Sequence, residues 1–157
     1  MPSTSIHFNR IKAADTGAAF RFAAESLIRD PSDTLLLNEV LAAAENDEVH
    51  EKAPEELRKL ATAVQQLAIP PGLKNRFALA AVAASFPDHP SDAWLLLMQA
   101  FESDPAHLAN LDWARRLAAN SKVPDLRETL DRFSQRAEAG DFPADIFMEL
   151  NDIIYTT

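Results

Sequence analysis

The clearest periodic pattern in the chain is formed by Leu57, Leu60, Val64 and Leu67, which recur at spacings of three and four residues. This spacing places the four side chains on one face of an α-helix. Similar apolar stripes fill seven other segments, separated by proline-, glycine- or asparagine-containing breaks. With only three glycines in the chain, an all-β fold with many special turns is disfavoured. The sequence therefore predicts an all-α fold of about eight antiparallel helices, arranged as an array of helical hairpins or as a compact bundle.

A chain of 157 residues is one ordinary domain, long enough to enclose a hydrophobic core. At its start, Ile6 and Phe8 alternate with polar residues in a short strand-like pattern. One isolated strand cannot form a sheet. We therefore expect residues 1–14 to form an extended arm on the helices or a mobile tail, followed by a single helical domain over residues 15–157.

Several residues mark expected helix ends. Ser32 and Ser91, which each follow a proline, are expected to cap the N-termini of two helices. Asp104 is expected to cap a further helix that begins at Pro105. Gly140 suits the left-handed position that closes a helix C-terminus.

A shift of 59 residues aligns two parts of the chain, placing AAESLIRDPSDTLLL over VAASFPDHPSDAWLL. Two explanations remain open: a helix-start signature shared by chance, or duplication of a helical hairpin. Paired helices with small residues and a proline-marked boundary resemble the tetratricopeptide and related helical-repeat families, over roughly residues 16–47 and 75–119. The resemblance implies a layered helical array with a peptide-binding groove. The chain departs from the tetratricopeptide pattern in its period, which is about 34 residues in that family, and in lacking its Trp-x-x-Leu-Gly beginning.

The charge of the chain restricts its partners. A formal net charge of −9 and a pI near 4.8 disfavour binding to nucleic acid and to anionic membranes. A basic or amphipathic protein is the expected partner. No segment has the apolar length of a signal peptide or a membrane span. The chain has no cysteine, which excludes disulfides and thiolate metal sites and is compatible with the expected cytoplasmic location.

Candidate catalytic and metal-binding patterns are weak. The four histidines, at positions 7, 50, 89 and 107, form no helical i,i+4 pair. The sequence from Asp47 to Glu51 offers carboxylates and an imidazole to a metal, but a solvated acidic loop is the favoured interpretation. His89, Ser91 and Asp92 contain the residue types of a nucleophilic triad, yet three neighbours in one turn are better explained by a helix start. We expect no metal, no cofactor and no catalytic residues.

The candidate partner-binding residues fall into two groups. The first is an acidic docking surface in the link before and at the start of one helix, formed by Asp47, Glu48, Glu51, Glu55 and Glu56. The second consists of Trp113, which lies off the apolar stripe of its helix, and the neighbouring Arg116. An exposed tryptophan beside an arginine is typical of an interaction anchor; burial of Trp113 against the next helix is the alternative.

These patterns favour a non-enzymatic protein-interaction module, such as an adaptor, a chaperone or an inhibitor, that binds a polypeptide through an acidic helical surface or groove. The alternative is a helical small-ligand-binding or hydrolytic protein with a site built from carboxylates and His50 or His107. A homodimer formed through the apolar last helix is a further possibility.

Overall fold

The computed structural model describes residues 15–156, and these contain nine α-helices and no strand. The predicted all-α class is confirmed. The helices are α1 (Thr16–Arg29), α2 (Thr34–Ala44), α3 (Asp47–Lys52), α4 (Pro54–Ala63), α5 (Pro71–Ser85), α6 (Pro90–Ser103), α7 (Leu108–Asn120), α8 (Arg127–Glu138) and α9 (Ala144–Tyr155). A 3₁₀ turn, Val64–Gln66, follows α4. The predicted N-terminal arm, residues 1–14, lies outside the described residues.

Helix α5 lies at the centre of the domain, where it packs most extensively against α6 and α4 and also contacts α2 and α3. Its sequence explains this position, because a run of alanines permits close approach of neighbouring helices. Ala78, Ala81 and Phe77 are fully buried. The first helix, α1, packs against α2, α3 and α4, and these three helices in turn contact α5.

A row of aromatic rings packs together in the C-terminal part of the domain. Phe133 of α8 stacks on Phe142 at 4.8 Å between ring centroids, and it also contacts Phe101 of α6 at 6.5 Å. Helix α9 packs against α7 and α8, burying Leu150 and Ile154. Because aromatic burial dominates the energy of such contacts, these rings attach α8 and α9 to the rest of the core.

The predicted N-cap of α2 is wrong by one residue. Asp33, not Ser32, caps the helix by accepting a hydrogen bond from the backbone N–H of Leu36 at 3.0 Å. The Ser32 hydroxyl instead donates to the Asp30 carboxylate at 2.6 Å. A carboxylate is the stronger acceptor next to the positively polarised first turn.

The predicted starts of α6 and α7 are also wrong. Helix α6 begins at Pro90, so Ser91 lies inside its first turn. Helix α7 begins at Leu108, and its cap is His107, whose Nδ1 accepts from the backbone N–H of Ala109 at 3.3 Å. Asp104, predicted to start this helix, ends the preceding one. The prediction for Gly140 is confirmed by its φ of +80°, which a residue with a side chain rarely adopts.

The helix starts do not match under the 59-residue shift. Helix α2 begins at Thr34, three residues after Pro31, whereas α6 begins at Pro90 itself. The aligned leucines differ as well: Leu36 is buried, whereas Leu95 is 54% exposed. The aligned sequences therefore begin their helices at different points and bury different side chains.

Two buried asparagines differ in their hydrogen bonding. Asn75 of α5 is fully buried, and neither its amide nitrogen nor its amide oxygen has a hydrogen-bond partner among the described residues. Asn110 of α7 is also fully buried, and its amide oxygen has no partner among the described residues either, but its amide nitrogen donates to the backbone carbonyl of Asp104 at 3.0 Å. An unsatisfied buried amide opposes folding by about 1–3 kcal/mol, so Asn75 is a point of reduced stability within the core.

Candidate functional site

The first three predicted acidic residues lie on a helix and not in a loop. Asp47 and Glu48 occupy the first turn of α3, where carboxylates interact favourably with the helix dipole, and Glu51 is exposed on the same helix. Glu48 accepts a hydrogen bond from the Thr16 hydroxyl at 2.9 Å and pairs with Lys52 at 3.3 Å. Glu48 therefore connects the start of α1 to α3, in addition to contributing negative charge to the surface.

The other two predicted acidic residues, Glu55 and Glu56, occupy the first turn of α4, which begins at Pro54. Glu55 pairs with Lys59 at 3.6 Å, and both side chains are well exposed, so this pair adds about 0–1 kcal/mol to stability. Glu56 is half-buried and lines a groove between α1 and α4. The structure thus places one member of the predicted acidic surface beside a concavity.

The structure joins Trp113 and Arg116 in a cation–aromatic cluster. The Trp113 ring packs edge-on against Phe86, with 5.9 Å between centroids, and is half-buried. The Arg116 guanidinium lies over both rings, 4.8 Å from the centroid of Trp113 and 5.5 Å from that of Phe86. Trp113 therefore packs on the end of α5, and such an exposed cation–aromatic contact adds about 0.5–1 kcal/mol.

A larger groove lies between α4 and α6. Its volume is about 520 Å³, and it is lined mainly by apolar surface. The α4 wall is formed by Arg58, Lys59, Thr62 and Ala63, and the α6 wall by Asp92, Leu95, Leu96 and Gln99. Leu95 is 54% exposed here although it is a large apolar side chain. This groove has the size and character of a ligand-binding concavity.

The groove continues across neighbouring helices through shared lining residues. Lys59 and Ala63 also line the 290 Å³ groove between α1 and α4, where Ile28 is 40% exposed. Leu95 also lines a 590 Å³ groove against the start of α8, beside Glu128 and Asp131. These three concavities therefore lie side by side on a surface that crosses α1, α4, α6 and α8 and share lining residues on α4 and α6, and we call this surface the cross-helix groove.

Of the residues predicted to bind a partner, only Glu56 lines the cross-helix groove. The run WLLLM, residues 94–98, indicated an exposed apolar side chain in this part of the groove. Five consecutive large apolar residues of one helix cannot all face the protein core. Trp94, Leu97 and Met98 are buried, Leu96 is nearly so, and Leu95 is the member left at the surface. The rest of the groove could not be predicted from the sequence, because its α4 and α6 walls are about thirty residues apart in the chain.

The histidines proposed for a ligand site make local contacts. The imidazole Nε2 of His50 lies 2.7 Å from the backbone carbonyl of Ala44, and His107 caps α7. Within residues 15–156, no group of three or more histidine, aspartate and glutamate side chains is placed to hold a metal ion. The described histidines are therefore engaged separately and do not converge on one pocket.

Near the α8 end of the cross-helix groove, hydrogen bonds from the side chain and backbone of Arg127 lower the pKa of Asp125. The guanidinium of Arg127 lies 3.0 Å from the Asp125 carboxylate, and the same pair raises the pKa of Arg127. Both groups are fully charged at neutral pH, so the ion pair defines a fixed polar edge of the groove.

Comparisons with protein-family models, with curated proteins and with solved structures give no match. Among the helices of residues 15–156, none has both the length and the apolar character needed to cross a membrane. A functional proposal for this chain therefore depends on its own surface and electrostatics.

Proposed function

We propose that this chain is a non-enzymatic protein-interaction module that binds a segment of another polypeptide in the cross-helix groove. The observation that carries the proposal is the exposure of Leu95 in a concave, mainly apolar surface between α4 and α6. Because Leu95 is 54% exposed, burying the rest of its side chain on binding contributes about half of the 1.5–3 kcal/mol of a fully exposed leucine, or about 0.8–1.6 kcal/mol. An adaptor, a chaperone or an inhibitor would use such a surface.

The extent of the surface favours a polypeptide over a compact small molecule. Three concavities lie side by side across α1, α4, α6 and α8, and each is open to solvent. A chain laid across them would contact Ile28, Ala63 and Leu95 in turn. Helix walls around a hydrophobic core provide a rigid surface, which lowers the conformational cost of binding. This use of an array of helices is similar to that implied by the helical-repeat resemblance.

The acidic residues support a basic or amphipathic partner. Asp47, Glu48, Glu51 and Glu55 are exposed, and Glu56, which follows Glu55 in the first turn of α4, lines the cross-helix groove. Negative potential around an apolar groove speeds the association of a basic partner more than it strengthens the final complex. We propose this steering role for the acidic surface, and a cytoplasmic location for the protein. The role of Trp113 and Arg116 as a partner anchor stays a prediction.

The proposal is tested by selecting binders from a library of random 12-residue peptides displayed on phage. Leu95→Asp places a charge in the cross-helix groove without removing a buried side chain. Leu108→Asp is the matched control, because Leu108 is 79% exposed at the start of α7 and lines none of the three concavities. We expect peptides enriched on the wild type to lose at least tenfold in affinity for Leu95→Asp and to bind Leu108→Asp normally, since the substitution removes a leucine contact of about 0.8–1.6 kcal/mol and also brings a charge against an apolar residue of the peptide.

The opposite result is equally clear. Peptides that bind wild type and Leu95→Asp with the same affinity, or a selection that enriches no sequence, would contradict binding in this groove. Light scattering on both proteins distinguishes a second copy as the occupant: a wild-type dimer that dissociates in Leu95→Asp would replace the peptide proposal with self-association.

A further inference from the structure

The cross-helix groove carries charges of opposite sign on its two sides. On the α4 side, Arg58 and Lys59 line the groove beside Ala63. Lys59 forms an exposed pair with Glu55 at 3.6 Å. The Arg58 guanidinium lies 3.4 Å from the Ser85 hydroxyl, a neutral partner. In the concavity between α4 and α6, the α4 side therefore presents the two cations Arg58 and Lys59 to an occupant, whereas Glu56 lines the concavity on the α1 side of α4.

The α6 and α8 side is acidic. Asp92 lies one turn before Leu95 on α6 and lines the same concavity. Across from it, Glu128 and Asp131 line the concavity that Leu95 shares with α8. Within residues 15–156, Glu128 and Asp131 form no salt bridge, whereas Arg127 is paired with Asp125 and also interacts electrostatically with Asp131, so the acids outnumber the single arginine of this concavity. The exposed leucine thus lies between a basic and an acidic region.

On this basis, and resting on the proposed function, we propose that the occupant is an extended segment of bipolar charge. Its central apolar residue contacts Leu95, an acidic residue faces the cations of α4, and a basic residue faces the acids of α8. A segment with this arrangement meets an opposite charge at each end of the groove. A segment with the reverse arrangement meets a like charge at each end, which is unfavourable.

The spacing of the three contacts follows from helix packing. Packed helix axes lie about 8–10 Å apart, and an extended chain advances about 3.3 Å per residue. One helix crossing therefore takes about three residues. We infer that the acidic and the basic residue each lie about three positions from the apolar anchor, on opposite sides of it. An extended path is required because Leu95 lines concavities on both flanks of α6, and a helix lying along one of them would not reach the other.

The experiment combines the peptide selection with charge reversals in the cross-helix groove. Glu128→Lys reverses a charge on the α8 side, and Lys59→Glu reverses one on the α4 side; both side chains are exposed, so folding is retained and is checked by thermal unfolding. Lys122→Glu is the matched control, because Lys122 is exposed and lines none of the three concavities. The probe is a fluorescein-labelled synthetic peptide with the consensus sequence enriched on the wild type.

We expect Glu128→Lys to weaken binding of this peptide about three- to tenfold, the range of one or two exposed charge pairs. Replacing the basic residue of the peptide with an acidic one should restore the lost affinity for Glu128→Lys, while the acidic residue on the other side remains necessary. Lys59→Glu should show the reciprocal pattern, with the opposite end of the peptide. Lys122→Glu should bind the original peptide with unchanged affinity.

The outcomes separate this inference from the function on which it rests. Peptides that require Leu95 but carry no charge preference, or whose affinity falls equally for every charge variant, would overturn the bipolar occupant and leave polypeptide binding standing. A selection with no Leu95-dependent peptide would overturn both.

Discussion

Replacing Asn75 with alanine is expected to stabilise the protein, although most substitutions in a core destabilise it. The Asn75 amide is fully buried and has no hydrogen-bond partner among the described residues. Removing an unsatisfied amide from the core stabilises by about 2 kcal/mol, and alanine adds about 0.5 kcal/mol in helix propensity. A void of about 30 Å³, at about 24 cal/mol per Å³, opposes these gains by roughly 0.7 kcal/mol.

The expected net effect is about 2 kcal/mol of stabilisation, or a rise in Tm of about 4–8 °C for a chain of this length. Asn110→Ala is the matched control, because Asn110 is equally buried but donates to the Asp104 carbonyl. Breaking that hydrogen bond should lower stability by about 1 kcal/mol. The two variants share the propensity gain, the void and the removal of an unsatisfied amide oxygen, so their difference reports the amide nitrogen, which is hydrogen-bonded in Asn110 and has no partner in Asn75.

Urea unfolding followed by circular dichroism measures both variants, with an unchanged m-value showing that the extent of unfolding is the same. If Asn75→Ala loses as much stability as Asn110→Ala, the Asn75 amide is hydrogen-bonded in solution and the reasoning is wrong.

Two further substitutions test the packing and the charges. Phe133→Ala should destabilise by about 3–5 kcal/mol, because it leaves a cavity between Phe101 and Phe142. Its control, Met148→Ala at a 67% exposed position, should change stability by less than about 0.5 kcal/mol. Urea midpoints measure both variants, and equal effects would refute the assignment of Phe133 to the core. Asp125→Asn should reduce stability at neutral pH, and this effect should shrink as the pH is lowered: the pKa of Asp125 is lowered on folding, so its contribution is present above the unfolded-state pKa and is lost as the pH falls through the folded-state pKa. A difference between wild type and Asp125→Asn that does not shrink toward acidic pH would contradict this assignment.

The fold class could be predicted from the sequence because helical periodicity is a local signal. Of the predicted stripe, Leu57, Leu60 and Val64 are buried as expected, but the helix ends at Ala63, so Val64 lies in the 3₁₀ turn and Leu67 follows it in extended, partly buried chain. The left-handed conformation of Gly140 follows from its lack of a side chain. Helix α3 was missed because six residues are too few to show an amphipathic period. Its acidic residues were interpreted as a solvated link.

Helix ends were less predictable, because several polar residues compete for each cap. Ser32 and Asp33 are both good N-cap residues, and the choice between them depends on where the preceding turn places the chain. Leu108 illustrates the same limit: it fits the apolar stripe of α7, but as the first helical residue it projects beyond the core and is exposed.

The cross-helix groove could not be predicted because it is a property of packing. Its walls come from α4 and α6, and nothing in either segment alone indicates that Ala63 and Leu95 line one concavity. Glu128 and Asp131 of α8, which line the groove beside Leu95, lie still further along the sequence from Ala63. By contrast, the predicted acidic residues were visible as a cluster in sequence, and only Glu56 of that cluster lines one of the concavities described above.

The most direct test of polypeptide binding in the cross-helix groove is an NMR titration of the isotope-labelled protein with the peptide selected on the wild type. Amide chemical-shift changes should concentrate around Ala63, Leu95 and Gln99, and should extend to the start of α8. Changes concentrated instead on the outer face of α9, around the exposed Met148 and Tyr155, would place the binding surface elsewhere and contradict the proposal.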